Sequence, residues 1–141
     1  MATDAEKMLA DYYAAWNSHD VEKAASFFTD DLVYEDVPMA AVQRNKKEFK
    51  DSWNAFFATC PDFKLEFKAI FATDAWAGSE WIMSGTHAGD WPGMPATGKS
   101  FSVRGASICE LRGGKLRRES LYWDMVSLLQ QLGFMPEMPS A

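Results

Sequence analysis

Two aspartates stand where a predicted β-strand ends, and each could act as a general base on a carbonyl compound. Asp36 lies near the end of a short β run from Leu32 to Val37, on the same face as Leu32 and Tyr34. Asp124 follows the last predicted strand and precedes a helical segment. Burial in apolar surroundings raises the pKa of a carboxylate and makes it a better base. The structural alternatives are a solvated turn for Asp36 and a helix N-cap for Asp124.

A histidine is the next candidate for proton transfer. His87 closes a predicted strand on the side that carries Trp81 and Met83. It could act as a general acid or as a polar contact to substrate, and a buried structural histidine is an equally good interpretation. Glu119 and Arg118 could pair along the last strand, and such a pair would mean little for function.

Aromatic and flexible side chains could build an apolar pocket around these groups. Aromatic residues make up 14% of the chain, with six Trp and ten Phe, and there are eight Met. Such side chains suit an irregular apolar cavity, while a Phe-rich core without a ligand is the simpler alternative. The side chains expected to line the pocket are Trp16, Tyr34, Trp53, Phe57, Trp81, Met83 and Tyr122.

Three helices are predicted in the first part of the chain. The first has one apolar stripe, and Thr3 with Glu6 forms a capping-box pattern at its start. Asp20 can cap a short second helix. The third carries Phe49, Trp53, Phe56 and Phe57 on one face and ends at Cys60-Pro61, after a loop over residues 38–45.

An antiparallel meander is predicted for the second part. Residues 62–71 alternate cleanly, which predicts that Phe63, Leu65, Phe67, Ala69 and Phe71 share one face. Gly113-Gly114 marks a tight hairpin turn. The predicted strands and the terminal helix cover residues 62–71, 76–87, 101–111, 115–123 and 125–132. Helices at one end followed by antiparallel strands predict an α+β fold, in which a strongly curved sheet wraps round the N-terminal helix as a cone with one open mouth.

Length and composition narrow the function. With 141 residues, the chain is expected to form a single domain over residues 1–141. The net charge of −6 argues against nucleic acid or an anionic membrane as partner. The two cysteines fit neither a zinc site nor a disulfide framework, and no phosphate-binding glycine motif is present. From these patterns we expect neither a metal nor a cofactor. No signal-peptide pattern or membrane-length apolar run occurs, so we expect a cytoplasmic protein.

The order of elements and two sequence stretches resemble the nuclear-transport-factor-2-like superfamily, in particular its SnoaL-like branch. Residues 12–20 (YYAAWNSHD), 27–31 (FFTDD) and 34–36 (YED) are similar to the N-terminal half of ketosteroid isomerases. Residues 122–124 (YWD) and 128–133 (LLQQLG) are similar to the C-terminus of SnoaL-like polyketide cyclases. The resemblance covers nearly the whole chain.

The resemblance implies roles for particular residues. The donor tyrosine of ketosteroid isomerases falls on Tyr12 and their general base on Asp36, while the acid/base aspartate of the cyclases falls on Asp124. The next-to-last strand departs from both patterns, because it carries Arg104 and Ser107 where those enzymes have an aspartate or a histidine. The second donor of the isomerases is therefore absent or is a hydroxyl in this chain, and Arg104 and Ser107 are expected to contact substrate. No Asp-Arg-Asp set of the limonene epoxide hydrolase kind is present.

These observations predict a cofactor-free acid/base enzyme that acts on a carbonyl-bearing hydrophobic small molecule, as an isomerase or an aldol-type cyclase. A non-catalytic binding module with the same pocket is the main alternative, and a dimerisation domain with an incidental cavity is a third. The resemblance also implies a homodimer that covers the convex face of the sheet.

Overall fold

The computed structural model describes residues 2–137. Within this part of the chain the helices are α1 (Asp4–Asn17), α2 (Val21–Ser26), α3 (Lys46–Thr59) and α4 (Met125–Leu132). The strands are β1 (Phe28–Asp36), β2 (Ala41–Gln43), β3 (Lys64–Ala72), β4 (Trp76–Thr86), β5 (Ser100–Arg112) and β6 (Lys115–Trp123).

The strands form one mixed, strongly curled sheet in the order β2-β1-β6-β5-β4-β3. All neighbours are antiparallel except β1 and β6, which pair in parallel. The predicted α+β cone and its antiparallel meander are confirmed. Most of the chain lies between β1 and β6, so no hairpin constrains their relative direction.

The N-terminal helix fills the inside of the curve because its sequence provides both a start signal and an apolar stripe. Thr3 and Glu6 form the predicted capping box, an arrangement that stabilises a helix by about 1 kcal/mol. Leu9, Tyr12 and Trp16 are buried on the face towards the sheet. The predicted Asp20 cap of α2 is also present, since its carboxylate accepts the Lys23 backbone N–H.

Two β-bulges change the side of the sheet on which side chains fall. The pairing of β3 with β4 skips Lys68, and the pairing of β6 with β5 skips Arg117. The expected alternation over residues 62–71 is therefore wrong beyond Phe67. Phe71 is 64% exposed on the outer face, whereas Ile70 packs against the core.

Several element boundaries also differ from the prediction. The expected loop over residues 38–45 contains β2, which pairs with β1 through Tyr34↔Gln43, Glu35↔Val42 and Asp36↔Ala41. Strand β1 begins at Phe28 rather than at Leu32. The Gly113-Gly114 turn lies where predicted, and both residues have positive φ, which glycine adopts without strain.

None of the helices between residues 2 and 137 is both long enough and apolar enough to span a bilayer. The same residues contain no cluster of three or more His, Cys, Asp or Glu side chains that could hold a metal ion.

Candidate active site

A cavity of about 410 Å³ lies between the concave face of the sheet and the helices α1 and α3. The loop after β4 and the first turns of α4 complete its wall. Its lining is largely aromatic and includes the tryptophans Trp16, Trp53, Trp81, Trp91 and Trp123. A concave, mainly apolar pocket with a few convergent polar groups is the usual form of a small-molecule site.

The main polar group of the cavity is Glu119, on β6. Its side chain is only 2% exposed, and its Oε1 accepts a hydrogen bond of 2.6 Å from the Tyr12 hydroxyl. Burial raises the pKa of this carboxyl to about 7, although hydrogen bonds from Tyr12 and Ser107 act in the opposite direction. Glu119 therefore exchanges its proton near neutral pH, where a general acid or base is most effective.

A strip of hydroxyl groups continues from Glu119 across the concave face. The Trp81 indole N–H donates to Ser107 Oγ at 3.0 Å, and the Tyr13 hydroxyl lies 2.6 Å from Ser79 Oγ. Ser79 and Ser107 are direct partners across β4 and β5. These bonds hold the aromatic walls in fixed positions around the polar floor of the cavity.

The second of the three carboxyls that line the cavity is Asp36, at the half-buried end of β1, and the third, Asp90, is exposed in the loop after β4. Its Oδ1 accepts a hydrogen bond of 2.9 Å from the Trp123 indole and one of 3.3 Å from the Met39 backbone N–H. Burial raises the pKa of Asp36, and these two hydrogen bonds lower it in part. The aspartate thus combines a fixed orientation with partly apolar surroundings.

The register of β1 and β6 sets the spacing of the two carboxyls. Tyr34 is opposite Glu119, and Asp36 is opposite Leu121, so Asp36 lies two residues further along the strands. That offset corresponds to about 7 Å along a strand. Burial and the charges of Glu119 and Asp36 raise the pKa of Tyr34 well above its ordinary value, so this phenol stays protonated. Two carboxyls in unlike surroundings are the pattern by which one site obtains both an acid and a base.

Most of the predicted wall residues line the cavity: Trp16, Tyr34, Trp53, Trp81, Met83 and Ser107, together with Asp36. Phe57 does not, because it is on the side of α3 that packs against the Trp16 and Trp53 rings, each with a centroid distance of 5.7 Å. Phe57 is therefore placed behind the lining residues and not among them.

Two of the predicted proton-transfer residues lie behind the cavity wall. Tyr12 is fully buried and directs its hydroxyl to Glu119 rather than to the open space. His87 is also fully buried, beyond the end of β4, where its Nδ1 lies 3.1 Å from Thr97 Oγ1 and its ring packs on Trp91 at 4.0 Å. Both side chains support lining residues without being part of the lining.

Three further predicted residues lie together on the outer side of the sheet, in a shallow depression at the ends of β5 and β6. Arg104 pairs with Glu80 at 3.6 Å, with 76% of its side chain exposed, and Tyr122 is 47% exposed. Asp124 is the N-cap of α4 and accepts the Ser127 backbone N–H. The inward-facing residues here are Ser107 on β5 and, on either side of Tyr122, Leu121 and Trp123 on β6. Arg104 and Tyr122 alternate with these residues and therefore point outwards, and Asp124 follows on the same side.

Glu119 is not among the site residues predicted from the sequence, because a bulge in β6 disturbs the alternation that would mark it. Glu119, Leu121 and Trp123 alternate along β6 and all line the cavity. The bulge at Arg117 conceals this pattern, because it lets Leu116 face inwards as well. The suggested pairing of Glu119 with Arg118 is also wrong, since adjacent strand residues point to opposite faces.

Comparison with known proteins supports the fold and its family. The family model of the SnoaL-like polyketide cyclases matches residues 6–132. Among the curated proteins, none matches the chain at a significant level.

Many solved structures share the fold. AclR, a candidate hydroxylase from Streptomyces galilaeus, is 22% identical with a TM-score of 0.81, over 96% of this chain and 84% of that one. IdmH, a candidate polyketide cyclase from Streptomyces antibioticus, is 24% identical with a TM-score of 0.78, over 92% of this chain and 98% of that one. A hypothetical protein of ketosteroid isomerase-like fold from Catenulispora acidiphila is 18% identical with a TM-score of 0.79, over 94% and 97% of the two chains.

At these identities the solved structures establish the fold, and the family model extends over nearly all of the chain. The expected SnoaL-like resemblance is therefore confirmed, and the chain belongs to the SnoaL-like polyketide cyclase family.

Proposed function

We propose that the protein is a cofactor-free acid/base enzyme, an isomerase or an aldol-type cyclase, that acts on a carbonyl-bearing hydrophobic small molecule in the cavity. Family membership supports a cyclase or isomerase type of function. The observation that carries the proposal is Glu119, a buried carboxyl with a pKa of about 7 in the same apolar cavity as Asp36.

The proposed chemistry divides the work between the two carboxyls. The Asp36 carboxylate takes a proton from the carbon next to the carbonyl, and the C–H electron pair forms the enol double bond. Protonated Glu119 donates to the carbonyl oxygen as that oxygen gains charge. In an isomerase Asp36 returns its proton at another carbon, and the enol O–H gives its proton back to Glu119 as the carbonyl re-forms. In a cyclase the enol carbon attacks a second carbonyl, the C=O electron pair moves to that carbonyl's oxygen, which takes the proton from Asp36, and the enol O–H gives its proton back to Glu119. Tyr12 acts as a positioning residue, because its hydroxyl holds Glu119 Oε1.

A non-catalytic binding module is the alternative function, and the aromatic lining favours it. Stacked and edge-to-face rings can bind a flat apolar ligand without any proton transfer. In that case the carboxyls would influence affinity but not the rate of any reaction.

Deuterium exchange distinguishes the two functions without knowledge of the natural substrate. 2-Tetralone is a neutral bicyclic ketone, and the loss of its α-proton signals in D₂O can be followed by ¹H NMR. We expect the protein to accelerate this exchange, and Glu119→Gln to reduce the acceleration by about 10²–10⁴-fold. Glu110→Gln is the matched control, because Glu110 lies on the outer face of β5 and pairs with Arg118.

Unchanged acceleration in Glu119→Gln would contradict the assignment of Glu119. Tight binding of 2-tetralone with no acceleration by the wild-type protein would replace the enzyme with the binding module.

We also propose a homodimer in the cytoplasm. Apolar side chains remain exposed on the outer face of the sheet, among them Phe71, Trp76 and Ile108. A second copy would cover them. Light scattering should give twice the chain mass of 15.8 kDa, and a mass of one chain at micromolar concentration would contradict the dimer.

A further inference from the structure

The titratable side chains that line the cavity, within residues 2–137, are all acidic or phenolic. The carboxyls are Asp36, Asp90 and Glu119, and no Lys, Arg or His is among the lining residues there. None of the three carboxyls has a cation within 4.0 Å in the described part of the chain. The cavity therefore holds negative charge without a counter-ion.

The aromatic lining, like the carboxyls, favours a cation in the cavity over an anion. The face of an aromatic ring carries partial negative charge and attracts cations, most strongly for Trp. Five tryptophans line the cavity: Trp16, Trp53, Trp81, Trp91 and Trp123.

We infer that the cavity selects its ligand by charge, so that it binds neutral compounds and cationic amines and rejects carboxylates. This rests on the proposed function, in that the cavity is taken as the substrate site. Its volume of about 410 Å³ also limits the ligand. A cavity of roughly 150 Å³ holds one benzene ring, so two to three fused rings would fit here.

Three probes with the same two-ring body and different head groups test the inference. They are 2-(aminomethyl)naphthalene as the ammonium, 2-(hydroxymethyl)naphthalene as the neutral compound and 2-naphthoate as the carboxylate. Their affinities can be measured at pH 8 by titration calorimetry and by quenching of tryptophan fluorescence. The ammonium should bind most tightly, and the carboxylate should bind at least about tenfold more weakly than the ammonium.

Variants test whether the lining carboxyls cause the selection. Asp36→Asn and Asp90→Asn should each reduce the ratio of ammonium to carboxylate affinity by about threefold or more, with little change for the alcohol. Asp74→Asn is the matched control, because it removes the same charge from the exposed β3–β4 turn outside the cavity. The ratio should also fall with rising salt in the wild-type protein.

Equal affinities, tighter binding of the carboxylate, or no binding of the ammonium probe at about 1 mM would each overturn the inference. An equal effect of Asp74→Asn and Asp36→Asn would overturn the role of the lining carboxyls. None of the probes has an enolisable carbonyl, so these results are independent of the 2-tetralone exchange, which alone tests the proposed chemistry.

Discussion

Glutamates on the two faces of the sheet at β1, β5 and β6 have opposite surroundings: those on the outer face have polar or cationic partners, whereas the one on the inner face is buried without a cation in the described part of the chain. On the outer face, Glu110 pairs with Arg118 at 2.6 Å, and Glu35 accepts a hydrogen bond of 3.0 Å from Ser120. On the inner face, Glu119 is immediately next to Arg118 in the sequence, and its partners among residues 2–137 are the Tyr12 and Ser107 hydroxyls. Arg118 thus belongs to an ion pair on the outer face, while the next residue, Glu119, is a buried acid on the inner face.

The surface ion pair and the buried carboxyl differ in what each contributes to stability and to chemistry. An ion pair at the surface contributes about 0–1 kcal/mol and has little chemical consequence. A buried carboxyl without a cation costs stability whenever it is ionised, so its retention is a common feature of functional sites. The same reasoning distinguishes Asp36, in the cavity, from Asp124, which caps α4 outside it.

Substitution of Asp36 or Asp124 by asparagine should give the largest difference in reaction rate between the cavity and the outer face. Asp36→Asn removes the proposed base and should slow the exchange of 2-tetralone by about 10²–10⁴-fold. Asp124→Asn should change the rate by less than about twofold, since Asn caps a helix almost as well as Asp and the residue is outside the cavity. The measurement is the ¹H NMR exchange rate. A large loss with Asp124→Asn and none with Asp36→Asn would reverse the assignment.

The stability of the protein should depend on pH through Glu119, with an effect of up to about 3 kcal/mol. The unfolded chain ionises this glutamate near 4.5, whereas the folded protein keeps the proton until the pKa of about 7. The folded state binds more protons between these values, so the free energy of unfolding should fall as the pH rises from about 4.5 to 7 and then level off.

Urea denaturation of the wild-type protein and of Glu119→Gln over this pH range provides the measurement. The variant should lose the part of the fall that comes from Glu119, because glutamine does not ionise, and should keep only the part that comes from Asp36, whose pKa burial also raises. The control Glu110→Gln should keep the whole fall. A parallel pH profile for the wild-type protein and Glu119→Gln would show that Glu119 is ionised in the folded state, contrary to the account.

Local signals in the sequence predicted much of the fold. Thr3 with Glu6, Asp20 and Gly113-Gly114 are short-range patterns whose partners lie within a few residues, and all appear as expected. The N-cap alternative for Asp124 also belongs to this class. Such features depend on backbone conformation nearby and not on distant packing, so one sequence is enough to predict them.

The candidate site was predicted only in part, because side-chain direction depends on the pairing between strands. A bulge at Arg117 reverses the alternation along β6, and no local pattern marks it. The face of Glu119 therefore had to be seen in the structure. The positions of Tyr12 and His87 behind the wall depend likewise on contacts with residues far along the chain or in the following loop.

A smaller effect should come from the helix cap itself. Asp124→Ala should lower the free energy of unfolding by about 1 kcal/mol, because the Ser127 N–H loses its acceptor. Asp124→Asn should lower it by much less. Thermal denaturation followed by circular dichroism can compare the two variants, and equal losses would mean that the carboxylate has a role beyond capping.

The most direct test of the account is the ionisation of Glu119 in the folded protein. Protein labelled with ¹³C at the glutamate carboxyls can be titrated by NMR, with Glu119→Gln used to identify the resonance. We expect a chemical-shift transition of Glu119 centred near pH 7. A transition at the ordinary glutamate value of about 4.3 would contradict it, since Glu119 would then be a plain carboxylate in neutral solution.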